Sequence, residues 1–99
     1  MIARIWRGVV RAAHADEYYR YLEETGLKEY RNTPGNRGLQ VLRSIQNDRC
    51  EYVLITFWEN WEAIRRFAGD TPEKAVYYPR DREFLLELEP NVQHFEVVD

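Results

Sequence analysis

Tyr52-Val53-Leu54-Ile55-Thr56-Phe57-Trp58 is the most strand-like run in the chain, and it carries large apolar groups on both sides. Side chains alternate between the two faces of a strand. Val53, Ile55 and Phe57 therefore form one set, and Tyr52, Leu54, Thr56 and Trp58 the other. Just upstream, Leu39, Val41, Arg43 and Ile45 alternate with Gln40, Leu42 and Ser44. Gln46-Asn47-Asp48-Arg49 between the two runs supplies turn chemistry. The pair reads as an antiparallel hairpin.

Outward from the hairpin, Ile2 to Val10 is rich in β-branched residues and starts without a helix cap, so it reads as another strand. From about Ala13 the apolar period becomes helical, with Ala15, Tyr18, Tyr21, Leu22 and Thr25 on one side. Gly26 weakens that helix, Leu27 to Arg31 extends it by a turn, and Thr33-Pro34-Gly35-Asn36 stops it. Beyond Trp58, Asn60 caps a short helix whose stripe is Trp61, Ile64, Phe67 and Ala68 and whose end is Gly69. Thr71-Pro72 reads as a second start, giving a helical stretch from Glu73 to Tyr77. Asp81 to Leu88 gives another turn or two, ended by Pro90. Asn91 to Val98 alternates and reads as the last strand. Residues 1–99 thus form a single α+β domain with the order βαββαβ. Its compact solution is the ferredoxin-like split βαβ, with sheet order 4-1-3-2 and both helices on one face.

Two helices cover only one face of a four-stranded sheet, and an antiparallel sheet with a wet face should alternate cleanly. These strands do not: Ala3, Ile5 and Val9 oppose Ile2, Trp6 and Val10, as the two sets oppose each other on 52–58. At roughly 25 cal/mol per Å², a bare apolar face forfeits several kcal/mol. A homodimer joined through that open sheet face removes the cost and leaves a cavity between the sheet and helices of each subunit. The alternative is a monomer with Gly69 to Pro90 folded over the bare face.

Composition narrows the function. The chain has 14 Lys and Arg against 17 Asp and Glu, a net charge of −3, and a pI near 5.4. Its arginines are interleaved with glutamates, so no nucleic acid or anionic membrane partner is expected. No apolar run approaches the ~20 residues of a membrane helix. MIARIWRG has neither the apolar core nor the cleavage site of an export signal, and Cys50 is the only cysteine, so a cytoplasmic location is expected. Phosphate loops, nucleophile elbows and metal-spaced histidines are absent, and no cofactor is expected. A small hydrophobic molecule is the expected ligand.

The stretches Thr33 to Gly38, Ile55 to Gly69 and Ala75 to Asp81, with Phe84-Leu85, resemble the antibiotic biosynthesis monooxygenase domains of the dimeric α/β barrel superfamily, over essentially the whole chain. The resemblance implies a homodimeric α/β barrel. It also implies cofactor-independent oxidation of phenolic polyketides, haem degradation or isomerisation, in a family many of whose members have no assigned role. Its haem degraders use an Asn on the first strand, a Trp on the second helix and a His just after it. This chain has Arg4 or Arg7, Phe67 and Tyr77 near those places, which disfavours haem.

Six residues stand out as candidates. His94 sits mid-strand with a pKa suited to taking a proton from an enol or phenol; its ordinary alternative is a hydrogen-bonded interface histidine. Arg4 shares a face with Trp6 and, if enclosed, would stabilise an enolate or a developing superoxide; it could equally bridge to Glu96 or another strand carboxylate. Trp6, Trp58, Tyr77 and Tyr78 are the expected pocket wall, the two tyrosines closing its mouth. The expected function is a cofactor-free monooxygenase acting on a hydrophobic aromatic or phenolic compound. The alternatives are a non-catalytic dimeric binding or stress-response module, marked by a cavity filled with its own side chains, and an isomerase or cyclase that consumes no oxygen.

Overall fold

Ile2–Arg11 (β1) is the centre of the sheet, pairing along its whole length with Arg49–Trp58 (β3) in antiparallel register, so that Trp6 faces Leu54 and Arg4 faces Thr56. These pairings come from a computed structural model describing residues 1–99. Asn36–Gln46 (β2) lies outside β3, and the hairpin closes on Asn47, whose left-handed φ of 57° asparagine tolerates. On its other edge β1 meets two short strands, Leu85–Glu87 (β4) and Gln93–Glu96 (β5). The order β2-β3-β1-β4, with β5 continuing that edge, is the expected 4-1-3-2 read from the other side.

The helices are Ala15–Glu24 (α1), Gly26–Asn32 (α2), Trp61–Ala68 (α3) and a single turn at Asp81–Phe84 (α4). The first helical stretch breaks at Thr25, whose hydroxyl donates to the Tyr21 carbonyl at 2.7 Å. That side-chain bond competes with continuing the helix just where Gly26 makes a bend cheap. Asn60 caps α3 through an acceptor bond from Ala63 N at 2.9 Å.

Two expectations for the region after Gly69 need correction. Glu73 to Tyr77 is not helical: the Thr71-Pro72 start makes one turn, and the chain then pairs with the segment around Pro90. Ala75 N donates to the Pro90 carbonyl at 2.9 Å and Val92 N to the Glu73 carbonyl at 2.8 Å, a pairing that local helix propensity does not outweigh. The final strand is also shorter than expected, with Asp81 to Leu88 split between α4 and β4. Pro90, which cannot donate to a ladder, falls in the gap between β4 and β5.

All the helices pack on one face, over Trp6, Val10, Tyr52, Leu54 and Trp58. The strap from residue 70 to 80 lies on that same side, with Ala75, Tyr77 and Tyr78 against the core. It does not cover the opposite face. There Ile5, Val53, Ile55 and Phe57 remain half-buried, and Leu42 and Phe95 are 48% and 52% exposed. One end of that face is polar: Arg7 donates to Glu51, to Glu87 at 3.2 Å and to Glu89 at 2.7 Å.

Candidate functional site

Because β1 pairs with β5 through Arg4↔His94, two of the candidate residues are cross-strand neighbours on the helix-covered face, with Trp6 two positions along. Arg4 is only 1% exposed. Its guanidinium donates to the carbonyls of Lys74 at 3.0 Å and Pro72 at 3.5 Å and stacks over the Phe67 ring at 5.4 Å. No carboxylate meets it, so the expected bridge to Glu96 is not made, and its Nε has no partner. Burial lowers its pKa from the ordinary value, against the opposing influence of the nearby Tyr30 hydroxyl. Burial in turn pushes Tyr30 up to about 12, while the Arg4 charge holds it back.

His94 is half-buried beside Trp61, ring centres 4.8 Å apart and planes tilted by 52°. Its Nε2 is sealed from solvent without a hydrogen-bond partner. Burial, and then the charge of Arg4, lower its pKa below the usual imidazole value, with Glu73 acting the other way. That lowering favours the neutral imidazole, the form able to accept a proton.

Trp6 lies edge-on to Tyr77, centres 6.3 Å apart, and its indole Nε1 is also buried without a partner. The ring rests over Gly8, where only a hydrogen leaves room for it. Tyr77 spends its hydroxyl on the Glu89 carbonyl. Tyr78 donates to Glu29 on α2 at 2.6 Å, pinning the strap to that helix. Trp58 requires a correction: it is wholly buried in the core, its Nε1 donating to Thr56 at 2.8 Å, so it reaches no open space.

Sequence reasoning missed the strap's anchor. Asp81, 3% exposed, accepts from the Tyr18 hydroxyl at 2.8 Å and from Tyr78 N at 2.6 Å, while Arg80 N donates to the Tyr21 hydroxyl. Burial raises the Asp81 pKa despite those two bonds. The available signal was the pairing of helix-stripe tyrosines at 18 and 21 with a lone carboxylate after Pro79.

Behind the strap, between Trp6, Tyr18, Tyr30 and Tyr78, the space left is about 10 Å³, room for one water at most. The chain's own aromatics fill the position where a sheet–helix cavity would lie. A second, open depression of about 450 Å³ lies at the end of the sheet, with His94 and Trp61 in its wall. No three His, Cys, Asp or Glu side chains converge as a metal ion requires, and no helix is long and apolar enough to cross a membrane.

A split βαβ sheet with helices on one face, and a buried Arg4 held under a strap beside a half-buried His94, defines a small α+β domain. The antibiotic biosynthesis monooxygenase family model matches residues 1–75, and the chain belongs to that family. Its fold is similar to that of MhuD from Mycobacterium tuberculosis, a heme degrader solved with two hemes in its active site. That likeness has 22% identity and a TM-score of 0.64, covering 99% of this chain and 96% of that one. It is also similar to SnoaB from Streptomyces nogalater, a cofactor-independent oxygenase, at 16% identity and a TM-score of 0.65, covering 99% and 93%. No curated protein matches the chain.

Proposed function

We propose that the protein is a cofactor-independent monooxygenase acting on a hydrophobic phenolic or otherwise enolisable aromatic compound, working as a homodimer joined through the open sheet face. The observation that carries this reading is a buried guanidinium without a counter-ion, Arg4, directly across the ladder from the unpartnered imidazole of His94. Buried charges are normally paired. Here the missing partner is an anion, and the neighbouring neutral imidazole is the group that would generate one by taking the substrate's proton.

His94 acts as the base, and the charge of Arg4, its cross-strand neighbour, stabilises the resulting enolate or phenolate, while Trp6, Tyr77 and Tyr78 pack the interior beside them. The electron-rich anion reduces dioxygen by one electron and recombines with the superoxide formed to give a carbon-bound peroxide anion, which takes back the proton held on His94 to become a hydroperoxide. Loss of the remaining C–H proton breaks the O–O bond. One oxygen atom stays in the product as a carbonyl, and the other leaves as water. Arg4 serves that sequence best because a fixed cation acts most strongly where water is excluded. Membership of the family and the fold shared with SnoaB support the reading.

Haem does not suit this site. Phe67 offers no hydrogen bond, the Tyr77 hydroxyl is committed to Glu89, and about 10 Å³ cannot take a porphyrin. The same small volume favours one other reading, a non-catalytic dimeric binding module of this fold. Oxygen-electrode traces with a panel of phenols and anthrones separate the two. Dioxygen uptake that falls at least about tenfold in His94→Ala, with the assembly intact, supports the enzyme. Turnover unchanged in that variant removes His94 from the mechanism, and no uptake with any compound leaves the binding module. Product formation without oxygen uptake indicates an isomerase or cyclase.

A further inference from the structure

The gap of about 10 Å³ behind the strap cannot admit a ring, whereas the depression at the sheet end can. Its volume of about 450 Å³ falls within the roughly 300–1,000 Å³ usual for small-molecule sites. Its walls are Ile2 and Met1 at the start of β1, Trp61 on the first turn of α3, and His94, Phe95 and Glu96 on β5. Trp61 is 43% exposed with its ring 4.8 Å from that of His94, so one large aromatic surface faces water beside the imidazole, while the Phe95 side chain points to the opposite, open face of the sheet. Single exposed apolar side chains are unremarkable, but a concave cluster around a candidate base is a different matter. His94 joins this depression to the interior, since it lies in the wall of the groove while its ladder neighbour Arg4, on the same face of the sheet, is buried.

We propose that this groove is an aromatic-binding site, in which a planar ring bearing a neutral hydroxyl lies against Trp61 with that hydroxyl on the imidazole of His94. The inference rests on the reading of His94 as the base and adds Trp61 as a substrate-positioning residue. The chemistry selects the ligand class: Trp61 suits a flat π-face, His94 accepts a hydroxyl proton, and the Glu96 carboxylate repels an acid. The groove therefore prefers a phenol to an aromatic carboxylate.

The test uses the intact wild-type protein and 1-naphthol, followed by calorimetry and by amide chemical-shift mapping. Binding should shift the amides of Ile2, Trp61 and Phe95 and leave those of Tyr18 and Leu22 in place. Trp61→Ala should weaken binding roughly tenfold, the loss of one aromatic face, Trp61→Phe should restore most of it, and 1-naphthoate should bind markedly more weakly than 1-naphthol. Trp61 is exposed on a first helical turn, so loss of binding in a variant with wild-type thermal stability reports the groove itself. Equal affinity in Trp61→Ala, shifts confined to Tyr18, Leu22 and the strap, or tighter binding of 1-naphthoate would each overturn the proposal. Oxygen uptake is scored separately. Turnover indifferent to Trp61 sinks the groove and leaves the enzyme, whereas Trp61-dependent binding without uptake sinks the enzyme and leaves the groove.

Discussion

Gly8→Ala tests the packing behind the strap with one methyl group. A Cβ built on Gly8 would stand 2.2 Å from Trp6 Cη2, 2.7 Å from Cζ2 and 2.9 Å from Cζ3, well over about 1 Å short of ordinary carbon–carbon contact at the closest point. An indole cannot yield like a lysine tip. Tyr77 bounds it edge-on, and the only nearby space is about 10 Å³. Two effects compete. Removing a glycine from a strand stabilises by roughly 0.4–1 kcal/mol through the unfolded chain. Overpacking a closed site costs about 1–3 kcal/mol. The clash should win, lowering stability by about 1–2 kcal/mol and Tm by roughly 4–8 °C per kcal/mol for a domain of this size. Thermal melts followed by circular dichroism measure the shift. Trp6→Leu combined with Gly8→Ala should recover the added loss, a coupling visible in a double-mutant cycle. A variant melting at or above the wild-type temperature, or strictly additive effects, would refute the packing of Trp6 over Gly8.

Three further outcomes follow from the charged groups. His94, whose pKa burial and Arg4 lower, should stay neutral as the pH falls through the ordinary imidazole value, so kcat/KM should hold level there and drop only at lower pH. Arg4→Met removes the nearby positive charge, and NMR titration of the His94 ring should show its pKa rising toward the ordinary value; an unmoved titration denies the contact. Asp81 carries a raised pKa, so in the folded state it holds its proton to higher pH than in the unfolded chain. Its burial therefore costs stability above the folded value, and that cost disappears as the pH falls through it to the ordinary carboxylate value. Denaturant titrations between pH 7 and that window should show wild type gaining stability relative to Asp81→Asn as the pH falls, and a difference that stays flat or moves the other way would contradict it.

The sheet was legible because alternation is a strong signal: the sets on 39–45 and 52–58 and their turn fix the hairpin, and the helix stripes fix which set is covered. The Arg4–His94 adjacency was half legible, since each residue's face could be read but not the register that sets them opposite each other. The strap was not legible. Thr71-Pro72 carries a helix-start signal, yet the backbone bonds with Pro90 and Val92 that override it are long-range pairings with no local trace. Trp58 shows the same limit in the core. Periodicity places it on the helix-covered face, but its complete burial depends on Tyr30 and Phe67 packing against it from separate helices.

The open sheet face is the premise on which the dimer, and with it the assignment of inner and outer surfaces, depends. Sedimentation velocity at micromolar concentration tests it directly, on wild type and on Ile55→Lys, which puts a charge at the middle of that face beside Ile5. A wild-type particle of twice the 12.0 kDa chain mass, reduced to a folded single chain by the lysine, is the predicted result. A wild-type protein that sediments as one stable chain would contradict it.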